Sequence, residues 1–338
     1  MESTMKSMKT IVTGGAGFIG SHVVDRLLSD GHQVTVIDSF ITGRPENLDH
    51  QKDHPNLNLI EADVTEIDLT AIHFKDVDWV FHLAAVADIV PSIQHPDRYF
   101  KSNVDGTFNV LELCRHNNVK RFVYAASSSC YGLPDIFPTP ETAEIRTEYP
   151  YALTKYLAEQ LVLHWGHVYK LPVVSLRFFN VYGPRSRTSG TYGAVFGVFL
   201  SQKLNNKPFT IVGDGNQTRD FTFITDVVNA CVMAVESGLT NEIMNVGSGG
   251  TYSVNRLIEL ISEGEDVIHI PKRPGEPDCT YADITKIQEL LGWQPKVSFE
   301  EGVKIMLENI DYWKEAPVWT PETIADATKD WFEYLSKK

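Results

Sequence analysis

The chain has 338 residues, 43% of them apolar and 22% charged, and carries a net charge of −14 at neutral pH. That composition sustains a sizeable core and excludes a disordered chain. The acidity excludes nucleic acid or an anionic membrane as a non-specific partner, because either needs a basic surface. A small anion held by a few placed cations remains possible. Four widely spaced cysteines with no CxxC pair, and no run of about 18 apolar residues, predict a cytoplasmic protein with unpaired thiols.

In chain order, an apolar strand at 10–13 runs into Gly14-Gly15-Ala16-Gly17-Phe18-Ile19-Gly20 and then a helix at 19–29. Glycines at this junction allow a tight turn and bring a pyrophosphate close to the helix N-terminus, whose unpaired N–H groups attract anions. The next strand, 33–38, ends in Asp38, placed to accept hydrogen bonds from an adenosine ribose. This favours NAD over its 2′-phosphorylated form, although Arg44 nearby leaves the latter open. Strands at 57–61, 79–84, 122–126 and 173–178 follow, with helices at 103–117 and 151–169 between them. Alternating strands and helices predict an α/β fold: a Rossmann-type doubly wound parallel sheet covered on both faces.

The fifth strand closes on Ser127-Ser128-Ser129, and Tyr151-Ala152-Leu153-Thr154-Lys155 opens the helix after Pro150. Positions i and i+4 share a helix face, so phenol and ammonium point together. A neighbouring cation favours phenolate and suits Tyr151 to general-base work, with Ser127 holding a substrate hydroxyl. Beyond residue 180, Gly and Pro clusters break the chain into shorter elements. The expected division is an NAD-binding domain over 9–180, rejoined by part of 221–245, and a smaller α/β lobe over 181–338.

On these residues the sequence resembles the extended short-chain dehydrogenase/reductase family, in its nucleotide-sugar epimerase/dehydratase branch. Further support comes from Asp63-Val64, His82-Leu83-Ala84-Ala85, Asn103-Val104-Asp105-Gly106-Thr107, Arg177-Phe178-Phe179-Asn180, Arg219-Asp220 and Arg273-Pro274-Gly275-Glu276. The resemblance implies adenine contact at Asp63 and Val64 and cofactor contact at Leu83, Ala84, Ala85 and Asn103. It places Lys155 on the nicotinamide ribose and Phe178 beside the nicotinamide. Asn180, Arg219 and Arg273 would grip a nucleotide diphosphate, with Ser128 and Ser129 near the sugar. It also implies a homodimer built on two helices per subunit.

Dehydratases and decarboxylases of this family place a carboxylate just after the hydroxyl residue, where this chain has Ser128 and Ser129. The sequence is therefore similar to the UDP-hexose 4-epimerases, with 4,6-dehydratase, decarboxylase or C4 oxidoreductase activity as the alternatives. A catalytically silent NAD-binding protein is opposed by the intact Ser127, Tyr151 and Lys155. Thr280, at a place that narrows the sugar pocket in some relatives, is small enough to admit a 2-acetamido group. Arg185 is a candidate for reading a uronate carboxylate, or else a solvated loop residue. His82 reads as satisfying backbone hydrogen bonds and not as a base, Cys130 as a small packing residue, the remaining histidines show no metal-ligand spacing, and the stripe Leu153, Leu157, Leu161, Trp165 reads most simply as core.

Overall fold

The computed structural model describes residues 6–68, 70–186 and 194–336. Six strands stand where the apolar runs place them: β1 Lys9–Thr13, β2 Gln33–Asp38, β3 Leu57–Glu61, β4 Trp79–His82, β5 Arg121–Ser127 and β6 Val173–Phe178. They are apolar on both faces because helices cover both: Ile11, Val12, Val36, Val80 and Phe81 are all fully buried. The fourth strand stops two residues short of the expected 84, and Leu83–Ala84 instead bend into a cleft wall.

A seventh strand, Glu242–Val246, pairs in parallel with β6. The sheet order is then Glu242–Val246, β6, β5, β4, β1, β2, β3. The order reverses between β1 and β4, and ligands of open parallel sheets bind at such a switch point. Register brings Thr13 beside His82, and Ser127 beside Phe178, at the carboxyl edge. The helix Ile224–Glu236 also packs against α1 (Phe18–Ser29) and β5 and β6 of the sheet.

Four more helices frame the cleft: α2 Ile89–Gln94, α3 Pro96–Phe100, α4 Gly106–His116 and α5 Pro150–Tyr169. The expected single helix at 103–117 instead begins with a π turn, Lys101–Asp105, ahead of α4. Among the described residues the remaining chain forms three two-stranded sheets, including Phe209–Val212 with Val267–Ile270 and Thr218–Arg219 with Tyr252–Ser253. Stacked rings of Tyr182, Phe196, Phe221, Phe299 and Tyr252 knit this part together.

Candidate active site

A cleft of about 700 Å³ runs along the switch point, lined by Gly14, Gly17, Phe18, Ile19, Gly20 and Asp38 at one end. Ser127, Tyr151, Lys155 and Phe178 line the other. Gly14 turns the chain out of β1 with φ of 69°, and its N–H donates to the Ile37 carbonyl at 2.8 Å. A Cβ on Gly20 would lie 2.1 Å from the Gly14 oxygen, so helix and turn approach as only glycine permits. Gly17 caps α1 without a side-chain acceptor. The first-turn N–H groups are therefore left for an anion.

Asp38 is 7% exposed, and its two oxygens accept the N–H groups of Ala16 (3.0 Å) and Phe40 (2.8 Å). Burial raises its pKa while these two bonds oppose the rise, and lone pairs remain for ribose hydroxyls. Asp63, Val64, Leu83, Ala84 and Ala85 line the same cleft. A glycine cradle, an uncapped helix end and a carboxylate at its rim together fit a dinucleotide. Arg44 does not join them: its guanidinium lies 5.1 Å over the Tyr312 ring and bonds the Tyr312 hydroxyl.

Asn103, expected at the cofactor, is 1% exposed; its amide nitrogen donates to the Val86 carbonyl and the Thr154 hydroxyl, and its oxygen accepts the Val86 N–H at 2.8 Å. It thereby ties the cleft wall at Val86 to α5.

Tyr151 and Lys155 stand one turn apart on α5, and Ser127 lies near enough to the Tyr151 phenol to lower its pKa. Ser127 Oγ also lies 2.8 Å from Ser129 Oγ. Burial lowers Lys155 to about 7, against the attraction of Glu159 one turn further on. Its ammonium sits 4.4 Å over the Tyr124 ring. The expected depression of the Tyr151 pKa is not met in the chain itself: burial raises it, outweighing Ser127. The phenol thus needs further positive charge beside it to ionise.

His82 is fully buried between Thr13 Oγ1 (2.7 Å, Nδ1) and Thr107 Oγ1 (2.9 Å, Nε2). The Thr107 hydroxyl donates to the Asn103 carbonyl, so it can only accept from His82, and the proton sits on Nε2. Burial and then Lys155 lower His82 to about 3, which makes it a neutral structural group. Burial pushes the Cys130 thiol up to about 12, far from nucleophilic use.

Arg219 and Arg273 meet at Glu276, at 2.8 Å and 3.7 Å, with both guanidinium side chains 10% exposed. Arg219 enters a second cavity of about 520 Å³ with Val212, Gln217, Lys272 and Glu276. Thr280 donates to the Asn180 side-chain oxygen at 2.7 Å and accepts the Asp220 N–H, which places the two candidate residues together. Ser128 is half-buried just after Ser127. Thr210, in the strand that leads to the second cavity, is turned inward and accepts from Gln202. Arg185 is not a solvated loop residue: it pairs with Asp25 at 2.5 Å and donates to the Asn47 carbonyl.

Three residues escaped sequence reasoning. Glu276, within the quoted Arg273-Pro274-Gly275-Glu276 run, gathers the arginines. Tyr149 lies with its ring parallel to Tyr151, centroids 6.4 Å apart, and feels Glu276 and Arg219, so it bridges the two groups. Asp88 lines the cleft at a φ of 98°, a conformation side chains rarely adopt, and its charge raises the Tyr151 pKa. Tyr99 holds the preceding Ala87 carbonyl at 2.6 Å.

The sequence pattern of the NAD dependent epimerase/dehydratase family matches residues 10–247. UDP-glucose 4-epimerase of Mycolicibacterium smegmatis is 36% identical, over 89% of this chain and 98% of its own. UDP-glucuronic acid decarboxylase 2 of Arabidopsis thaliana is also 36% identical, over 90% of this chain and 68% of its own. Among solved structures, UDP-N-acetylglucosamine 4-epimerase of Methanobrevibacter ruminantium, in complex with UDP-N-acetylmuramic acid, superposes with a TM-score of 0.86. It is 35% identical and covers 91% of this chain and 99% of its own.

Proposed function

The chain belongs to the NAD dependent epimerase/dehydratase family, with NAD as its cofactor, and from that premise we propose that it is a UDP-hexose 4-epimerase. The observation that carries this reading is the serine run. Ser128 and Ser129 occupy the places where a dehydratase or decarboxylase of the family has its carboxylate, and the Ser129 hydroxyl is bonded to Ser127.

In this mechanism Arg219 and Arg273 grip the diphosphate through forked hydrogen bonds. Ser127 orients the C4 hydroxyl, and Tyr151 takes its proton while Lys155 stabilises the phenolate. Held along Gly14, Gly17, Gly20, Asp38 and Lys155, NAD⁺ would supply a reversible hydride acceptor for C4, so no net redox change would accumulate. Between the two transfers the 4-keto sugar turns about its clamped diphosphate and Tyr151 hands the proton back. Ser128, Asn180 and Thr280 border the sugar, and the small Thr280 side chain admits a 2-acetamido group.

Residues 181–338, apart from the stretch that returns to the sheet, form the nucleotide-sugar lobe in this reading. A homodimer is part of it, supported by Phe108 on α4 and Leu153 on α5, which are 47% and 44% exposed; of the expected core stripe, only Trp165 is buried. Among the described residues no helix is long and apolar enough to cross a membrane, and the cytoplasm is the proposed location. The second reading, decarboxylase or dehydratase, is favoured by the plant relative and by the Asp88 carboxylate beside Tyr151.

Tyr151→Phe tests the mechanism. Removing the general base should lower turnover of UDP-hexoses by about 10²- to 10⁴-fold with NAD binding retained. Near-normal turnover would contradict it.

A further inference from the structure

The last helix of the described chain, Lys329–Leu335, lies far in sequence from every group assigned above, yet its indole reaches one of them. Trp331 is 4% exposed, and the Arg273 guanidinium stands 5.2 Å from its ring centre. Its indole N–H donates to the Pro274 carbonyl at 2.7 Å, which fixes the backbone next to the same arginine. The neighbouring Asp330 accepts from Gln94 on α2, and the helix packs along α2, whose N-cap is Asp88. A capping box at Thr320 starts the preceding helix, Pro321–Ala327, and the Thr328 hydroxyl bonds the Ile324 carbonyl at the junction. The C-terminal pair is therefore a built brace. It spans from the cofactor-cleft wall to the loop carrying Arg273.

An arginine that must meet a diphosphate loses less on binding when its plane is already held. Glu276 attracts Arg273 from one side at 3.7 Å, and a carboxylate alone would compete with the ligand for the same N–H groups. The indole face attracts the cation through its ring, not through the N–H donors, and so orients Arg273 without engaging them itself.

We infer that Trp331 is a positioning residue for nucleotide-sugar recognition, acting through Arg273. The inference rests on the reading that Arg273 binds the diphosphate, and UDP itself serves as the probe. By titration calorimetry, Trp331→Leu should weaken UDP binding about 3- to 30-fold, the range for losing a cation–π partner of a buried guanidinium. Trp331→Phe, which keeps a ring, should fall between it and the wild type. NAD affinity and kcat should stay unchanged while KM rises.

A double-mutant cycle separates positioning from general support. In an Arg273→Ala background, which itself should bind UDP at least about 10-fold more weakly, either Trp331 substitution should add less than about 2-fold. Should the leucine variant not fold, the phenylalanine arm carries the cycle alone. Additive losses, or UDP binding unchanged by Trp331 substitution, would overturn the inference. An Arg273→Ala protein that binds UDP normally would instead overturn the reading of the diphosphate site, and this inference with it.

Discussion

Lys155 shows how one residue ties the site's chemistry to the stability of the fold. Burial lowers its folded pKa to about 7, against about 10.4 in an unfolded chain. Between those values the unfolded chain binds a proton that the folded chain does not, so stability rises with pH across that window, while below it the full penalty persists. Denaturant unfolding of the cofactor-free protein at pH 7 to 9 should show a slope up to about 1.4 kcal/mol per pH unit steeper than in Lys155→Met. Equal slopes would contradict the buried, destabilised ammonium. The Tyr151–Lys155 pair was legible in sequence because i and i+4 always share a helix face. Asp88 and the inward turn of Asn103 were not, because Tyr99, which holds Ala87 beside Asp88, and Val86 and Thr154, which hold Asn103, come from other segments.

Among the elements, α5 carries more than the catalytic pair. One turn beyond Lys155, Glu159 is 1% exposed; it receives Arg177 of β6 at 2.6 Å and the Ser175 hydroxyl at 2.8 Å. The Arg177 guanidinium also donates to the Tyr131 hydroxyl, so this buried pair pins α5 to the sheet edge that bears Ser127. Glu159→Ala would strand a buried cation and should cost about 3–5 kcal/mol of stability by denaturant unfolding; a loss below about 1 kcal/mol would place the pair outside the fold's main supports. The six strands were legible from their apolar runs. The π turn was not, since widening one turn of a helix leaves the apolar spacing nearly intact. The early end of β4 was hidden as well, because Leu83 and Ala84 are as apolar as the strand they leave.

Across the whole molecule, the proposed function has an acidic chain bind two anionic ligands by local devices: an uncapped helix end for NAD, and two arginines gathered by Glu276 for the sugar nucleotide. The α/β sheet and its switch point followed from the strand–helix alternation, whereas the seventh strand and the C-terminal brace depend on contacts that sequence spacing does not encode. If Phe108 and Leu153 lie in a dimer interface, Leu153→Glu should yield monomers by sedimentation, and an unchanged mass would reject that interface. The central claim is reversible hydride transfer at C4, and isotope tracing tests it most directly. UDP-galactose and UDP-N-acetylgalactosamine carrying deuterium at C4 should give the C4 epimer with the label still at C4 by NMR, with no solvent hydrogen entering C5. Loss of the label, solvent exchange at C5, or release of water from the sugar would contradict the account.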